Sequence, residues 1–489
     1  MQNLYAIFII KKFLEVNNFD DNSIYSLINQ INKEYLLLFT SLLNKNNKNL
    51  SYDTLIILVN ISYTEEGELL FGEEEKAISN IATFMGNNRA DIYLIDLGIL
   101  LIKNITHKNS LVRQMFQNYK ILQFFNEIYE KFIFDNNFMK NLILCIGHFI
   151  NSRFSDNSCL ISIKIIKTQL NANIPLEIVV KYVYILYNLS YYNEEKVYIE
   201  MIKNDIPTVL MNIYPFNNEK TEKYYKEKEE DINNNIKEKD SKRELCLLIL
   251  KILGKMLSTE NKNISKNIID NGIAKFLNKV FQSNDIKIIK NAFFCLSNLC
   301  AGSYGQISYL YDNDTIFEAF KVAEYVYDIL FSNNKFIDSF ITQDFIKTFR
   351  EITYVISLII INSLYERLIP FARNHNYAIV KMLLKGLKIF PEYYNKNNKN
   401  LIIYMLNAIS KLNKYEKNND EEELLKNNIS KYSEFLEQNE FKEILENLLV
   451  NPDENIADVA QSIYDEFFIT SNSNDNINID DIIEDEDNE

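Results

Sequence analysis

The chain is 489 residues long and 47% apolar, which is enough for several domains or for one long repeat array. It has only 10 Gly and 6 Pro, too few turn-forming residues for a sheet-rich protein of this length. The net charge of −15 argues against a nucleic-acid partner, whose phosphates need clustered Lys and Arg, and favours a basic partner.

The composition also narrows the location and the chemistry that we expect. Five scattered cysteines without a Cys-x-x-Cys pair are typical of reduced thiols in a cytoplasmic or nuclear protein. No apolar stretch reaches the roughly 18 residues that a membrane span needs, so no membrane partner is expected. There are three His residues and no phosphate-binding or nucleophile motif, so we expect no enzyme, no cofactor and no metal site.

At the N-terminus, an apolar run at residues 4–10 precedes Lys11 and Lys12, which predicts a first buried helix rather than a signal peptide. From residue 56 a short pattern recurs, in which an apolar run ends in Asn or a substitute and an apolar and a polar residue follow. The residues at the Asn position are Asn60, Asn104, His148, Asn188, Lys255 and Asn298.

The spacing of these residues predicts the fold class. The intervals from Asn60 to Asn104 and on to His148 are 44 residues each, and those from His148 to Asn188 and from Lys255 to Asn298 are 40 and 43. A helical period of about 40–47 residues is that of armadillo and HEAT repeats, whose units must stack to bury their apolar faces. We therefore predict an all-α protein, a right-handed armadillo-repeat superhelix (α-solenoid).

Polar segments interrupt this period. Residues 216–243 are rich in Lys, Glu and Asn and predict an inserted loop, and extra residues also occur around 304–343. Beyond Leu358, which we place at the Asn position 60 residues after Asn298, the period shortens and further polar loops are predicted at 395–400 and 417–423. Helices near 435–449 and 456–468 would close a solenoid over residues 1–470, followed by a disordered acidic tail at 471–489.

Residues 271–302 resemble an armadillo repeat of importin α, the adaptor family that recognises nuclear localisation signals. That family has Trp-x-x-x-Asn on the third helix of most repeats, and the copy here is Phe294-x-x-x-Asn298. Glu351 and Tyr354 resemble a late repeat that has Glu-x-x-Trp. Local matches of this kind occur in family order over roughly residues 50–470.

The resemblance implies a nuclear import adaptor, which would bind the lysine-rich signals of its cargo in a concave groove. In that arrangement Asn side chains pair with the peptide backbone, aromatic faces hold lysine stems and acids pair with the ammonium groups. It also implies an importin β-type carrier as a partner and a cytoplasmic and nuclear location. The peptide-binding residues that it implies are Asn60, Asn104, Tyr184, Asn188, Phe294, Asn298, Glu351 and Tyr354.

Departures from the family pattern keep a second function open. The chain has no Trp, and no basic N-terminal segment that would bind importin β is visible beyond Lys11 and Lys12. The alternative is a general armadillo-repeat protein-interaction scaffold without transport activity. The recurring Asn side chains also have an alternative role, because Asn satisfies backbone groups near helix ends.

Overall fold

The computed structural model describes residues 33–45, 47–132, 135–150, 160–170, 174–191, 195–215, 232–331, 339–375, 377–391, 399–419 and 431–469. Every regular element in these ranges is a helix. The predicted first helix at residues 4–10 and the acidic tail lie outside them. Within the described ranges, no helix is both long and apolar enough to cross a bilayer.

The chain divides into two compact units, with the division inside one helix after Ile264. The helices of the first unit are α1 (Lys33–Leu42), α2 (Lys48–Ser62), α3 (Glu65–Gly72), α4 (Glu75–Asn87), α5 (Ile92–Thr106), α6 (Ser110–Asn118), α7 (Ile121–Phe132), α8 (Asn136–Ile150), α9 (Ile161–Leu170), α10 (Leu176–Tyr191), α11 (Glu195–Lys203), α12 (Ile206–Asn212) and α13 (Ile232–Leu257). The next helix, which contains the division, is α14 (Lys262–Asp270).

The second unit continues with α15 (Ile273–Val280), α16 (Ile286–Cys300), α17 (Tyr304–Asp312), α18 (Thr315–Phe331), α19 (Ser339–Asn362), α20 (Tyr365–Asn374), α21 (Ala378–Ile389), α22 (Lys399–Asn419), α23 (Lys431–Gln438), α24 (Phe441–Leu449) and α25 (Glu454–Tyr464). A short π-helical turn, Asp465–Ile469, follows α25. The prediction of one solenoid over residues 1–470 stays a prediction.

Most helices follow one another as triplets of a first, a second and a long third helix, whereas α2 and α10 each follow a single helix of their repeat in the described residues. The third helices are α2, α5, α8, α10, α13, α16, α19, α22 and α25. Within the first unit α2 packs on α5, α5 on α8, and α10 on α13, and within the second unit α16 packs on α19 and α19 on α22. Stacked helical triplets of this kind confirm the predicted all-α solenoid.

Local sequence sets where many of these helices begin. Several third helices start after an Asn or Asp whose side chain accepts a hydrogen bond from a free backbone N–H, as Asn47, Asp91 and Asp285 do. At the turn between first and second helices, one residue repeatedly has a left-handed backbone conformation. These residues are Lys120, Asp205, Gly272, Asp314, Tyr377 and Glu440, with φ between 52° and 89°.

Most third helices are buried on all sides except one narrow stripe, whereas α25 is exposed over a wider face. In α16 the buried residues include Ile289, Phe293 and Leu296, whereas Phe294 and Asn298 are half-buried one turn apart. Because an inner third helix such as α5 or α19 packs on its own triplet and on the third helices before and after it in its unit, only one face is left for solvent. The apolar runs that precede the recurring Asn are thus the buried faces of these helices.

The predicted polar segments are in part helical in the structure. Helix α13 begins at Ile232, so the predicted loop at 216–243 is wrong for its last twelve residues, while 216–231 lie outside the described ranges. The extra residues around 304–343 are in part helical, because α18 has 17 residues and α19 has 24. The predicted loops at 395–400 and 417–423 also overlap α22 at both of its ends.

Candidate functional site

All eight predicted peptide-binding residues lie on the solvent-facing stripe of a third helix. Four are in the first unit, and of these Asn60, Asn104 and Asn188 are half-buried while Tyr184 is 46% exposed. The other four, Phe294, Asn298, Glu351 and Tyr354, are half-buried in the second unit. Their placement is compatible with a binding surface, and their role in binding a peptide stays a prediction.

In the first unit this stripe borders a cavity of about 910 Å³. Its walls come mainly from α5, α8, α10 and the first turns of the described part of α13, with the end of α2 and the start of α3 at one side. Three predicted residues, Asn104, Tyr184 and Asn188, line the cavity. Asn60 does not line it, and its side-chain amide instead donates to the Ile56 carbonyl of its own helix at 2.9 Å.

The recurring polar position joins neighbouring third helices. Asn104 Nδ2 on α5 donates to Ser62 Oγ at the end of α2 over 3.0 Å. His148 on α8 takes the corresponding position, and its Nδ1 lies 3.3 Å from Thr106 Oγ1 at the end of α5. Such contacts pair the C-terminal ends of adjacent helices, so these third helices run parallel. The polar position therefore has a structural role in the first unit.

The same contact recurs in the second unit and corrects the sequence register. Asn362 Nδ2 on α19 donates to the Cys300 carbonyl at the end of α16 over 2.9 Å. Asn362 is thus the equivalent of Asn104. Leu358, which the sequence prediction placed there, is only 3% exposed and belongs to the core. On α22 the equivalent position is occupied by Lys411, whose Nζ donates to the Ile361 carbonyl at 2.5 Å.

A chain of hydrogen bonds fixes the tautomer of His148. The Thr106 hydroxyl donates to the Ile102 carbonyl at 2.6 Å, so its oxygen accepts from His148 Nδ1. The unprotonated His148 Nε2 then accepts from His107 Nδ1, 3.3 Å away. Burial, followed by the charge that His107 can acquire, lowers the pKa of His148 to about 4. His148 is therefore neutral at physiological pH.

Where α10 and α13 meet, the third-helix surface of the first unit combines lysine with tyrosine. Sequence analysis did not predict this feature. Tyr187 and Tyr191 lie on α10, and the Lys255 Nζ of α13 is 5.4 Å and 4.1 Å from their ring centres. The Lys251 Nζ is 5.5 Å from the Tyr187 ring. The signal that could have found the tyrosines is their helical spacing from Tyr184, since residues 184, 187 and 191 share one face.

Lysine also occurs on α5 and α8, the two third helices before α10. Lys103 of α5 lines the cavity, and its Nζ donates to Asn141 Oδ1 of α8 at 3.4 Å. Burial lowers the pKa of Lys103, and the charges of Lys140 on α8 and Lys181 on α10 lower it further. Acids are present as well, because Glu177 and Glu244 line the same cavity. The surface therefore presents charges of both signs.

In the second unit, the predicted acidic contact residue already has an intramolecular partner. Glu351 Oε1 lies 2.9 Å from the guanidinium of Arg350, and its side chain is only 18% exposed. Tyr354 packs edge-on against Tyr404 of α22, with ring centres 5.5 Å apart, and burial raises the pKa of Tyr354. Glu351 would have to exchange this arginine for a lysine of a bound peptide.

The described residues contain no group of three side chains that could hold a metal ion. No protein-family model matches the chain. No curated protein matches it either.

The similar solved structures include two that cover nearly the whole chain. One is an engineered protein, 12% identical, with a TM-score of 0.59 over 95% of this chain and 94% of that chain. The other comes from work titled "A conserved phosphorylation switch controls the interaction between cadherin and beta-catenin in vitro and in vivo". It is 10% identical, with a TM-score of 0.66 over 95% of this chain and 80% of that chain. At these identities the likeness concerns the fold alone, which is an armadillo-like helical solenoid.

Proposed function

We propose that this chain is a protein-interaction scaffold that binds an extended segment of a partner across the third helices of its first unit. The observation that carries the proposal is the cavity of about 910 Å³, which is formed by side chains of several consecutive third helices. The stacking of these helices gives the cavity its shape. The similar armadillo-type structure from the work on cadherin and beta-catenin provides a precedent, because its title describes an interaction between those two proteins.

The chemistry of the walls supports a peptide as the occupant. Asn104 and Asn188 offer amide groups that can pair with a peptide backbone, although both already have an intramolecular contact, which for Asn104 is the bond from Nδ2 to Ser62. Tyr184, 46% exposed, supplies a large and rigid contact area, which is typical of residues that anchor an interface. The lining also contains charged groups of both signs, which can select among partners by sequence.

The test is a selection of 12-residue peptides by phage display on the intact chain, followed by fluorescence anisotropy with the selected peptides. Tyr184→Ala should weaken their binding at least tenfold, because it removes an aromatic anchor from the cavity wall. The matched control is Tyr93→Ala, since Tyr93 is a 75% exposed tyrosine of α5 that does not line the cavity. If both variants bind the selected peptides as the natural chain does, the cavity is not the binding site and the proposal is wrong.

The finer version of the proposal is an importin-α-like adaptor, present in the cytoplasm and the nucleus, that binds lysine-rich signals and joins an importin β-type carrier. Its support is the sequence resemblance and the half-buried pair Phe294 and Asn298, one turn apart on α16. A lysine stem could pack on Phe294 while Asn298 pairs with the peptide backbone. This version places the signal on the second unit, where Glu351 would receive the ammonium group.

Replacing Asn298 by Ala together with Glu351→Arg tests this version. The double variant should bind a fluorescent lysine-rich peptide at least tenfold more weakly, because it removes a partner for the peptide backbone and turns an attractive charge into a repulsive one. Glu366→Arg is the control, since this acid on α20 is exposed and lies outside the predicted site. Unchanged affinity in the double variant would show that the second unit does not bind lysine-rich signals at these residues.

A further inference from the structure

The wall formed by α10 and α13 in the first unit has an unusual charge distribution. Lys251 and Lys255 lie one helical turn apart on α13, and both ammonium groups rest against tyrosine rings of α10. Within the described part of the chain, neither ammonium group has a carboxylate at ion-pair distance. Two like charges on adjacent helical turns repel each other, and an anion bound beside them would offset this repulsion.

The protonation behaviour of Lys255 agrees with this description. Burial lowers the pKa of Lys255, and the charge of Lys251 lowers it further. An anion bound beside the pair would reverse both effects, because it would replace lost hydration and offset the repulsion. The tyrosine rings attract the two ammonium groups, which reduces the side-chain entropy that remains to be lost on binding.

Further lysines lie along the same face, where Glu177 and Glu244 are also present. Lys181 lies on α10, where it lines the cavity, and Lys103 lines the cavity on α5. Lys103 donates to Asn141, which in turn donates to Asp96, so the nearest acid acts on Lys103 without a direct ion pair. No described carboxylate lies at ion-pair distance from Lys181. By contrast, Glu65 and Glu68 at the α3 side already bind Lys108, the former through its ammonium group and the latter through its backbone N–H.

We propose that the third-helix surface of the first unit, from Lys103 to the Lys251 and Lys255 pair, binds an acidic segment of a partner protein. This inference rests on the proposed scaffold function and adds the chemistry of the bound segment. The partner carries Asp or Glu at the positions that face the wall and meet the lysines. The bound segment is thus negatively charged, whereas a lysine-rich signal is positively charged.

The geometry sets the length of the segment. Neighbouring third helices are about 10 Å apart, and an extended peptide advances about 3.3 Å per residue. Three helix steps separate α5 from α13, so about nine residues span the lysines. Since alternate side chains of an extended peptide face the same side, acids at every second position would face the wall.

The net charge of −15 does not oppose this chemistry. At physiological ionic strength the Debye length is about 8 Å, so distant acids of the chain are largely screened from a segment seated on the wall. Eight of the acids are also concentrated in residues 475–489. At contact distance the segment meets the lysines together with Glu177 and Glu244, so its acids must lie opposite the lysines, above all opposite the Lys251 and Lys255 pair, which is outside the cavity lining.

The experiment uses the intact chain and three fluorescein-labelled 12-residue peptides that differ only at alternate positions. In the first peptide, Glu at these positions alternates with Tyr or Leu. The second peptide replaces each Glu by Gln and the third replaces each Glu by Lys. In anisotropy titrations at 0.15 M NaCl, the Glu peptide should bind at least tenfold more tightly than either of the others. Binding of the Gln peptide as tight as that of the Glu peptide overturns the inference.

Charge-reversal variants locate the binding. The double variant Lys251→Glu with Lys255→Glu should weaken binding of the Glu peptide more than tenfold. The milder double variant Lys251→Gln with Lys255→Gln should weaken this binding several-fold. The control carries Lys131→Glu and Lys164→Glu, exposed lysines on the second helices α7 and α9, and has the same change in net charge. A loss in the control as large as in the wall variant overturns the inference, and circular dichroism verifies that each variant is folded.

Failure of the inference and failure of the scaffold function give different results. If the wall variants weaken the Glu and Gln peptides equally while the control does not, the surface binds peptides without selecting acids, and only the inference falls. If Tyr184→Ala leaves the binding of every peptide unchanged, the proposed scaffold function falls with it.

Discussion

Gly147 offers a direct test of how tightly neighbouring third helices pack beneath the candidate site. It lies in α8, and a Cβ built there would be 2.7 Å from Ile185 Cδ1 and 2.9 Å from Ile185 Cγ1 of α10. Both residues line the cavity. Gly86 in α4 is the natural control, because a Cβ built there meets no neighbouring atom within 4 Å.

The expected free energies differ between the two sites although the chemical change is the same. Replacing a helical glycine by alanine stabilises a helix by about 0.5–1 kcal/mol, since alanine loses less backbone entropy on folding. Gly86→Ala should show this gain. Gly147→Ala has the same gain but overpacks the contact with Ile185, which costs about 1–3 kcal/mol. The free energies of unfolding of the two variants should therefore differ by about 1–3 kcal/mol.

Urea denaturation followed by circular dichroism measures this difference on the intact chain. Because a repeat array can unfold in parts, hydrogen exchange over residues 136–191 should be measured as well. In an Ile185→Ala background both clashing carbons are gone, so Gly147→Ala should become stabilising there, as Gly86→Ala is. Equal stabilisation by Gly147→Ala and Gly86→Ala in the natural background would refute the close approach of α8 and α10.

Two further predictions concern the polar position of the third helices. In a double-mutant cycle, Asn104→Ala and Ser62→Ala should show a coupling of about 1 kcal/mol by urea denaturation, because they share a hydrogen bond, and additive effects would contradict this contact. The neutral native His148 binds its proton near pH 4 and the unfolded chain near 6.5, so stability should fall as the pH drops from about 6.5 to 4, by up to roughly 3 kcal/mol. The His148→Gln variant should lack this part of the pH dependence, and identical urea midpoints against pH for both proteins would show that His148 is not the titrating group.

The repeat phase could be predicted from sequence because each third helix leaves only one stripe exposed. An apolar run that ends in a polar residue therefore marks both the buried faces and the solvent-facing position. Asn104, Asn188 and Asn298 all lie where this pattern places them. The 44-residue period predicted the stacking for the same reason, since every repeat must bury equivalent faces against its neighbour.

The register in the second unit could not be predicted by counting a fixed period. Helix α19 has 24 residues, so its polar position at Asn362 is 64 residues after Asn298. The residue at the expected distance, Leu358, is a core leucine. The missed signal was the apolar run at 355–361 that ends in Asn362, which repeats the pattern of the first unit.

The turns between first and second helices were also only partly predictable. Gly272 marked one of them, because glycine readily adopts a left-handed conformation. Other repeats have Asp205, Tyr377 or Glu440 at the equivalent place. Packing of the two helices enforces the conformation there, and side-chain preference does not reveal it.

The chemistry of the surface was the least predictable feature, because it depends on pairs of residues that are distant in the chain. Lys255 and Tyr191 are 64 residues apart and meet only because α10 and α13 are neighbours. A repeat phase determines which residue faces solvent, and the neighbouring helix determines which charges that residue meets. For this reason, one fold with one polar ladder can present a surface for an acidic segment in the first unit and a different one around Phe294 and Asn298 in the second.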